Sequence, residues 1–146
     1  GILPITDSRM TRFMITLEQG VELVWHAFED MLGGEIYVKK IPSMTITDIA
    51  DAVVSDAEHK IIGIRPGEKI HEQMIGPEDS PYTYAYVDHY KILPMIHKWS
   101  NDPMRIRDGV KVEEGFSYTS DKNQEWMSVE TLRKWVEAKR NQIGVI

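Results

Sequence analysis

The chain has no cysteine, and that single absence removes disulfides, thiolate nucleophiles and cysteine-ligated zinc or iron–sulfur centres together. Long apolar runs are missing too: none approaches the roughly 18 residues a membrane-spanning helix needs. Gly1-Ile2-Leu3-Pro4 has neither the charged nor the apolar region of a signal peptide, so a cytoplasmic protein without a membrane partner is expected. Basic residues are outnumbered, 17 against 23 acidic for a net charge of −6, which argues against broad, sequence-independent nucleic-acid binding. Any phosphate site must then be a local basic pocket. No Gly-x-Gly-x-x-Gly fingerprint, Walker loop or Gly-x-Ser-x-Gly elbow occurs, so binding residues are present without a visible catalytic set. The five histidines, His26, His59, His71, His89 and His97, form no i,i+4 pair around a carboxylate, and no metal site is expected.

What remains is ordinary globular composition. At 146 residues, 42% apolar and 27% charged, residues 1–146 fit one compact domain with a real core. Residues 1–16 suggest an extended lead-in. From Leu17 the apolar positions Val21, Val24, Trp25, Phe28 and Met31 recur at helical spacing, with Thr16 and Gln19 as a capping box and Gly33-Gly34 as the stop. Glu35 to Val38 reads as a short strand and Pro42-Ser43-Met44 as a loop. Thr45 or Thr47 caps a second helix through Ile49, Ala50, Val53 and Val54. His59 to Ile64 is predicted as a buried strand, Lys69 to Ile75 as a short helix, and the tyrosine-rich stretch Pro81 to Leu93 as extended or hairpin structure. Residues 98–115 read as a long loop, 119–123 as a turn, and Ser128 as the cap of a last helix through Leu132, Trp135 and Val136. The eight methionines and four tryptophans are taken as core filling.

The most informative stretch is Ile64-Arg65-Pro66-Gly67-Glu68-Lys69. It sets a fixed cation and a carboxylate three residues apart on a Pro-Gly turn, an arrangement suited to a nucleoside diphosphate. The Arg65 guanidinium is a planar fork that matches phosphate oxygens, and Glu68 can accept from a ribose diol. A plain surface turn between a strand and a helix fits the same residues. A second cluster, Thr6 to Phe13, carries Arg9 and Arg12 just before the first helix. Either can reach an anion, and Asp7 can instead pair with one of them to brace a loop, Arg9 ahead of Arg12. His71 is the histidine nearest to a candidate ligand. The polar run Ser117 to Asn123 suits a sugar pocket or a turn that satisfies its own backbone.

Four stretches taken together carry a resemblance: Leu3 to Phe13, Gly33 to Val38, Lys40 to Met44, and Ile64 to Glu72, continued by Glu114 to Asp121 and Glu125-Trp126. They resemble the C-terminal half of inverting UDP-N-acetylglucosamine 4,6-dehydratases, members of the extended short-chain dehydrogenase/reductase group that begin the pseudaminic acid route to flagellin and surface glycans. The resemblance implies a mixed α/β fold, the substrate-binding part of such an enzyme without its N-terminal Rossmann region. It implies NADP in the full-length enzyme and none bound by this chain alone. It also implies that Arg65 grips the UDP diphosphate, Glu68 the uridine ribose, and Arg12 a second phosphate position. No catalytic residue is carried over, because the family's Tyr-x-x-x-Lys pair lies in the N-terminal half. Gly1 to Ile5 reads as the middle of a fold, so a fragment is expected, inactive alone, whose partners are a UDP-sugar, the missing Rossmann half and a further copy of itself. The alternatives are a noncatalytic UDP-sugar-binding or assembly module, and a fragment of a UDP-sugar 4-epimerase, which shares the arginine and the acidic turn residue.

Overall fold

The computed structural model describes residues 1–143. In chain order its strands are β1 (Ile2–Ile5), β2 (Thr11–Phe13), β3 (Ile36–Lys39), β4 (Ser43–Thr45), β5 (Glu58–Ile61), β6 (Gln73–Ile75), β7 (Thr83–Ala85), β8 (His89–Ile92), β9 (Val110–Lys111) and β10 (Tyr118–Thr119). Its helices are α1 (Leu17–Asp30), α2 (Ile46–Val53), α3 (Pro103–Ile106) and α4 (Val129–Ile143). The mixed α/β class is as expected. These elements gather into two compact units.

The first unit comprises Gly1–Met14, Pro42–Glu72 and the segment from Ser120 onward. Here β1 and β5 pair in parallel, with Ile2 opposite Glu58, and β2 and β4 pair antiparallel, with Thr11 opposite Thr45. Thr45 caps α2 by accepting from the Asp48 amide at 3.1 Å, and Ser128 caps α4 through the Thr131 amide at 3.2 Å. The two helices pack together over a core of Met44, Ala52, Met127 and Leu132, flanked by Ile49, Trp135 and Val136. That burial of apolar surface is what holds this unit.

Three expectations change here. Pro42-Ser43-Met44 is no mere loop, because Ser43 and Met44 enter strand β4 and are fully buried. The strand at His59 to Ile64 stops at Ile61, and Ile61, Ile62 and Ile64 stay 42–56% exposed. Among the described residues it has a partner strand on one edge only, in a two-stranded sheet. Lys69 to Ile75 forms no helix, since its backbone groups bond elsewhere: the Ile70 carbonyl accepts from the Thr11 amide, and the Glu72 carbonyl from the Ser120 amide.

The second unit comprises Ile15–Ile41 and Gln73–Thr119. Its four-stranded antiparallel sheet has the order β3-β8-β7-β9, β7 and β8 forming the expected hairpin, and β6 pairs with β10. Residues 98–115 are more ordered than a loop. They hold α3 and β9, and Arg105 of α3 is buried against Glu35. Beside this pair, Asp30 accepts from the Tyr37 hydroxyl at 2.6 Å and meets both the buried Lys91 and Arg107.

The capping box of α1 forms as read: Thr16 Oγ1 accepts from the Gln19 amide at 3.2 Å and Gln19 Oε1 from the Thr16 amide at 3.0 Å. Removing the hydroxyl leaves a first-turn donor without its partner. Thr16→Ala is expected to destabilise the chain by about 1 kcal/mol with an unchanged denaturant slope, measured by urea unfolding. The apolar stripe of α1 is another matter. Leu17, Val21, Val24, Trp25 and Phe28 are 47–79% exposed, so Trp25 is not core, and neither are Met95 and Met104. These side chains line an open apolar groove of about 600 Å³. No helix among the described residues is long and apolar enough to cross a membrane.

Candidate functional site

The site lies in the first unit, beyond the carboxyl end of β5. After Ile62 donates its amide to the Ile5 carbonyl at 2.9 Å, Gly63 turns the chain with φ +89°. Arg65 to Glu68 then forms a type II turn: Pro66 sets the first corner, Gly67 supplies φ +81° at the second, and the Glu68 amide donates to the Arg65 carbonyl at 3.1 Å. Glu68 Oε2 accepts from the Arg65 amide at 3.2 Å and closes the turn a second time. The Arg65 side chain is exposed, and its guanidinium has no hydrogen-bond or ion-pair partner among the described residues. A rigid turn thus carries one unspent cationic fork, while half of the Glu68 carboxylate is committed to the backbone.

Arg12 is placed differently from Arg65. Its Nη1 donates to the carbonyls of Thr11 at 2.7 Å and Ile70 at 3.1 Å, its Nη2 donates to Lys69 O at 3.1 Å, and its Nε lies 3.5 Å from Glu72. The guanidinium ties β2 to the segment that leaves the turn, with most of its donors in use. Arg9 pairs with Asp7 through both carboxylate oxygens, at 3.0 and 2.8 Å. The Arg9 side chain, and after it the Arg9 amide, holds the Asp7 carboxyl down at about 2. That pair is exposed and braces the β1–β2 turn without contributing much stability. His71 Nδ1 and Thr11 Oγ1 share a hydrogen bond at 2.8 Å.

The polar run does not form a sugar pocket from its own residues. Ser120 is fully buried on the Glu72 backbone, and Asn123 donates to Ser43 Oγ at 3.0 Å. Ser120 and Thr11 sit in the polar run and the Arg9–Arg12 cluster, but nothing in the sequence links them to each other or to Glu72, partners 48 to 109 positions away. The reading that the chain has no Tyr-x-x-x-Lys motif, the pattern of a catalytic tyrosine–lysine pair, is corrected by Tyr118-x-x-x-Lys122, which has that spacing. Tyr118 sits in β10 rather than on a helix, and its buried hydroxyl donates to the Ile41 carbonyl at 3.0 Å and accepts from the Ile41 amide at 2.9 Å. It has no catalytic exposure. Among the described residues no group of three or more histidine or acidic side chains is arranged to hold a metal ion.

Residues 1–94 match the model of a family described as polysaccharide biosynthesis protein. The chain belongs to that family. It is 52% identical over 135 residues to the inverting UDP-N-acetylglucosamine 4,6-dehydratase of Campylobacter jejuni, an alignment that covers 89% of the chain and 40% of the relative. To the UDP-glucose 4-epimerase of Rickettsia akari it is 32% identical over 136 residues, covering 90% of the chain and 40% of the relative. Among solved structures, that of Pen from Bacillus thuringiensis superposes with a TM-score of 0.72 at 26% identity, covering 94% of this chain and 40% of that one. The resemblance carried by the motifs is borne out: this member of the polysaccharide biosynthesis family is a homologue of inverting dehydratases. It spans about 40% of the length of the curated relatives it matches.

Proposed function

We propose that the chain is the substrate-binding portion of an NADP-dependent, C5-inverting UDP-N-acetylglucosamine 4,6-dehydratase of bacterial nonulosonic acid and surface-glycan synthesis, and that it holds the UDP moiety. The observation that carries the reading is the unpaired Arg65 fork on a doubly closed turn, in a chain half identical to an enzyme named for that substrate. Arg65 bonds the diphosphate, and Glu68 accepts from the ribose diol with the oxygen its own turn leaves free. Arg12 adds positive charge and at most the remaining donors of its fork, since the Thr11, Lys69 and Ile70 carbonyls occupy the others. Held at both diphosphate and ribose, the sugar is presented in one orientation, and orientation alone removes much of the barrier to a reaction.

NADP supplies hydride acceptance and return in such a reaction. The described residues of this chain do not fit it. The β1 strand runs into the Asp7–Arg9 turn and β5 into Gly63 and the Arg65 turn, and no glycine-rich turn joins a parallel strand to a helix. The cofactor therefore belongs with a nucleotide-binding portion that the relatives' remaining length would supply, and this chain's part is to bind and orient. The exposed stripe of α1 is the surface such a portion covers, and in its absence a second copy takes its place. Accordingly Trp25→Ser with Phe28→Ser is expected to shift the isolated chain toward monomer in sedimentation velocity. Unchanged association would assign it to another surface.

A UDP-hexose 4-epimerase portion is the second reading, favoured by the epimerase relatives at 32–39% identity and ranked below by the dehydratase relatives at 50–52%. Both names share a UDP-sugar. The test is calorimetric titration of the folded chain with UDP and UDP-N-acetylglucosamine, alone and in the complete enzyme, with product analysis in the latter. Binding of both ligands and a 4-keto-6-deoxy product supports the dehydratase, and a C4 epimer supports the second reading. Failure of the complete enzyme to bind either ligand removes both.

A further inference from the structure

The segment that follows the Arg65 turn is fastened by two buried hydroxyls from distant parts of the chain. Ser120, fully buried, donates its amide to the Glu72 carbonyl at 2.8 Å, and its Oγ accepts from the Glu72 amide at 2.9 Å. The same Oγ lies 2.6 Å from Thr11 Oγ1, and that oxygen lies 2.8 Å from His71 Nδ1. The Thr11 amide donates to the Ile70 carbonyl at 3.1 Å. Residues 70, 71 and 72 are therefore each bonded to β2 or to the segment at Ser120, one after another.

Upstream the contrast is marked. Residues 61–67 are exposed, and among the described residues the Arg65 turn is closed only by bonds between its own residues. Neither hydroxyl belongs to the apolar core of the unit, which is built from Met44, Ala52, Met127 and Leu132. The Ser120 hydroxyl accepts from the Glu72 amide, and the Thr11 hydroxyl braces it while bonding the His71 ring, so both act on the bend at 70–72 rather than on core packing. Directional bonds of this kind fix a position that apolar contact leaves free, and a buried pair that loses one member leaves the other unsatisfied.

We infer that Thr11 and Ser120 are positioning residues for Arg65: by locking the backbone at 70–72 they fix where the turn delivers its guanidinium. The inference rests on the reading of that turn as the diphosphate-binding element. It assigns a ligand-directed purpose to two buried side chains that stand apart from the turn itself.

The complete enzyme provides the test, with Thr11→Val, Thr11→Ser and Ser120→Ala compared for UDP-N-acetylglucosamine affinity, amide exchange at Glu72 and melting temperature. Ser120→Ala is expected to speed exchange at Glu72, and both Ser120→Ala and Thr11→Val to weaken binding about five- to tenfold, the effect of one buried hydrogen bond. Thr11→Ser, which keeps the hydroxyl, should bind like wild type. Combined with Arg65→Ala, Thr11→Val should lower the melting temperature but cost no further affinity. Faster exchange with unchanged affinity would overturn the inference and leave a purely structural bolt. An equal loss of affinity in the Arg65→Ala background would overturn it as well. Should Arg65→Ala alone leave affinity unchanged, the diphosphate reading itself fails and the inference falls with it.

Discussion

Replacing Arg65 by alanine is expected to weaken UDP-N-acetylglucosamine binding by about 1.5–3 kcal/mol, the range for a hydrogen bond to a charged partner. The expectation follows from what the side chain lacks. Among the described residues the guanidinium has no partner to release, so contact with a diphosphate breaks nothing in the protein. The turn beneath it is already closed by the Glu68 amide and carboxylate, so little backbone entropy remains to be lost on binding. Arg65→Lys keeps the charge but not the planar fork and should recover only part of the loss. Titration calorimetry on the three proteins decides the matter. Equal affinities for wild type and alanine would reduce the turn to a surface feature, and full recovery by lysine would mean that charge alone is used.

The largest stability effect is expected at Glu35. Its side chain is 1% exposed and that of its partner Arg105 is 5%, and the carboxylate accepts from the amides of Leu32 at 3.1 Å and Gly33 at 2.8 Å. Arg105 in turn donates to the Gly33 carbonyl at 2.8 Å and lies 4.0 Å over the Trp99 ring. Glu35→Ala strands a buried guanidinium and two amides, and should cost about 3–5 kcal/mol in urea unfolding. Removing Arg105 as well, as Glu35→Leu with Arg105→Met, should return a large part of it, because the desolvation penalty disappears with the charges. A single-mutant loss below about 1 kcal/mol would show that water reaches the pair.

Acid should attack the same unit. Burial by itself would raise the Glu35 carboxyl, but its own amide, those of Leu32 and Gly33, and the Arg105 charge outweigh burial and hold it below the usual range. For Asp30, burial is outweighed in the same way by hydrogen bonds from Lys91 and Tyr37 and by the charges of Lys91 and Arg107. A folded value below the unfolded one means stability that is complete above the ordinary carboxylate range and lost as pH falls through the folded values. Urea midpoints should therefore be flat from neutral pH to about pH 5 and decline below it.

Much of this was legible in the residues because it is local. Periodicity and caps gave α1, α2 and α4, and Pro66-Gly67 has the signature of the type II turn that forms. What escaped is non-local. The bend at 69–72 depends on Thr11 and Ser120, and no window along the chain shows that their donors and acceptors are waiting there. Arg12, which the resemblance implies as a second phosphate-binding arginine, also meets carbonyls nearly 60 positions away, and no local window shows those contacts. The stripe on α1 was correctly periodic, but a period says which face is apolar and not whether anything covers it. The buried charge of the 98–115 region, Arg105 in a stretch polar in sequence, is the converse case.

Each of the two units is assembled from separated stretches, three for one and two for the other, so the chain passes between them at 14/15, 41/42, 72/73 and 119/120. Neither unit is a contiguous length of gene. A crossover anywhere between β2 and Ser120 parts the Arg65 turn from one of them, because the three lie on different stretches. On the proposed reading of the turn as a diphosphate site, chimeras built to transfer its ligand preference would have to carry all three stretches together.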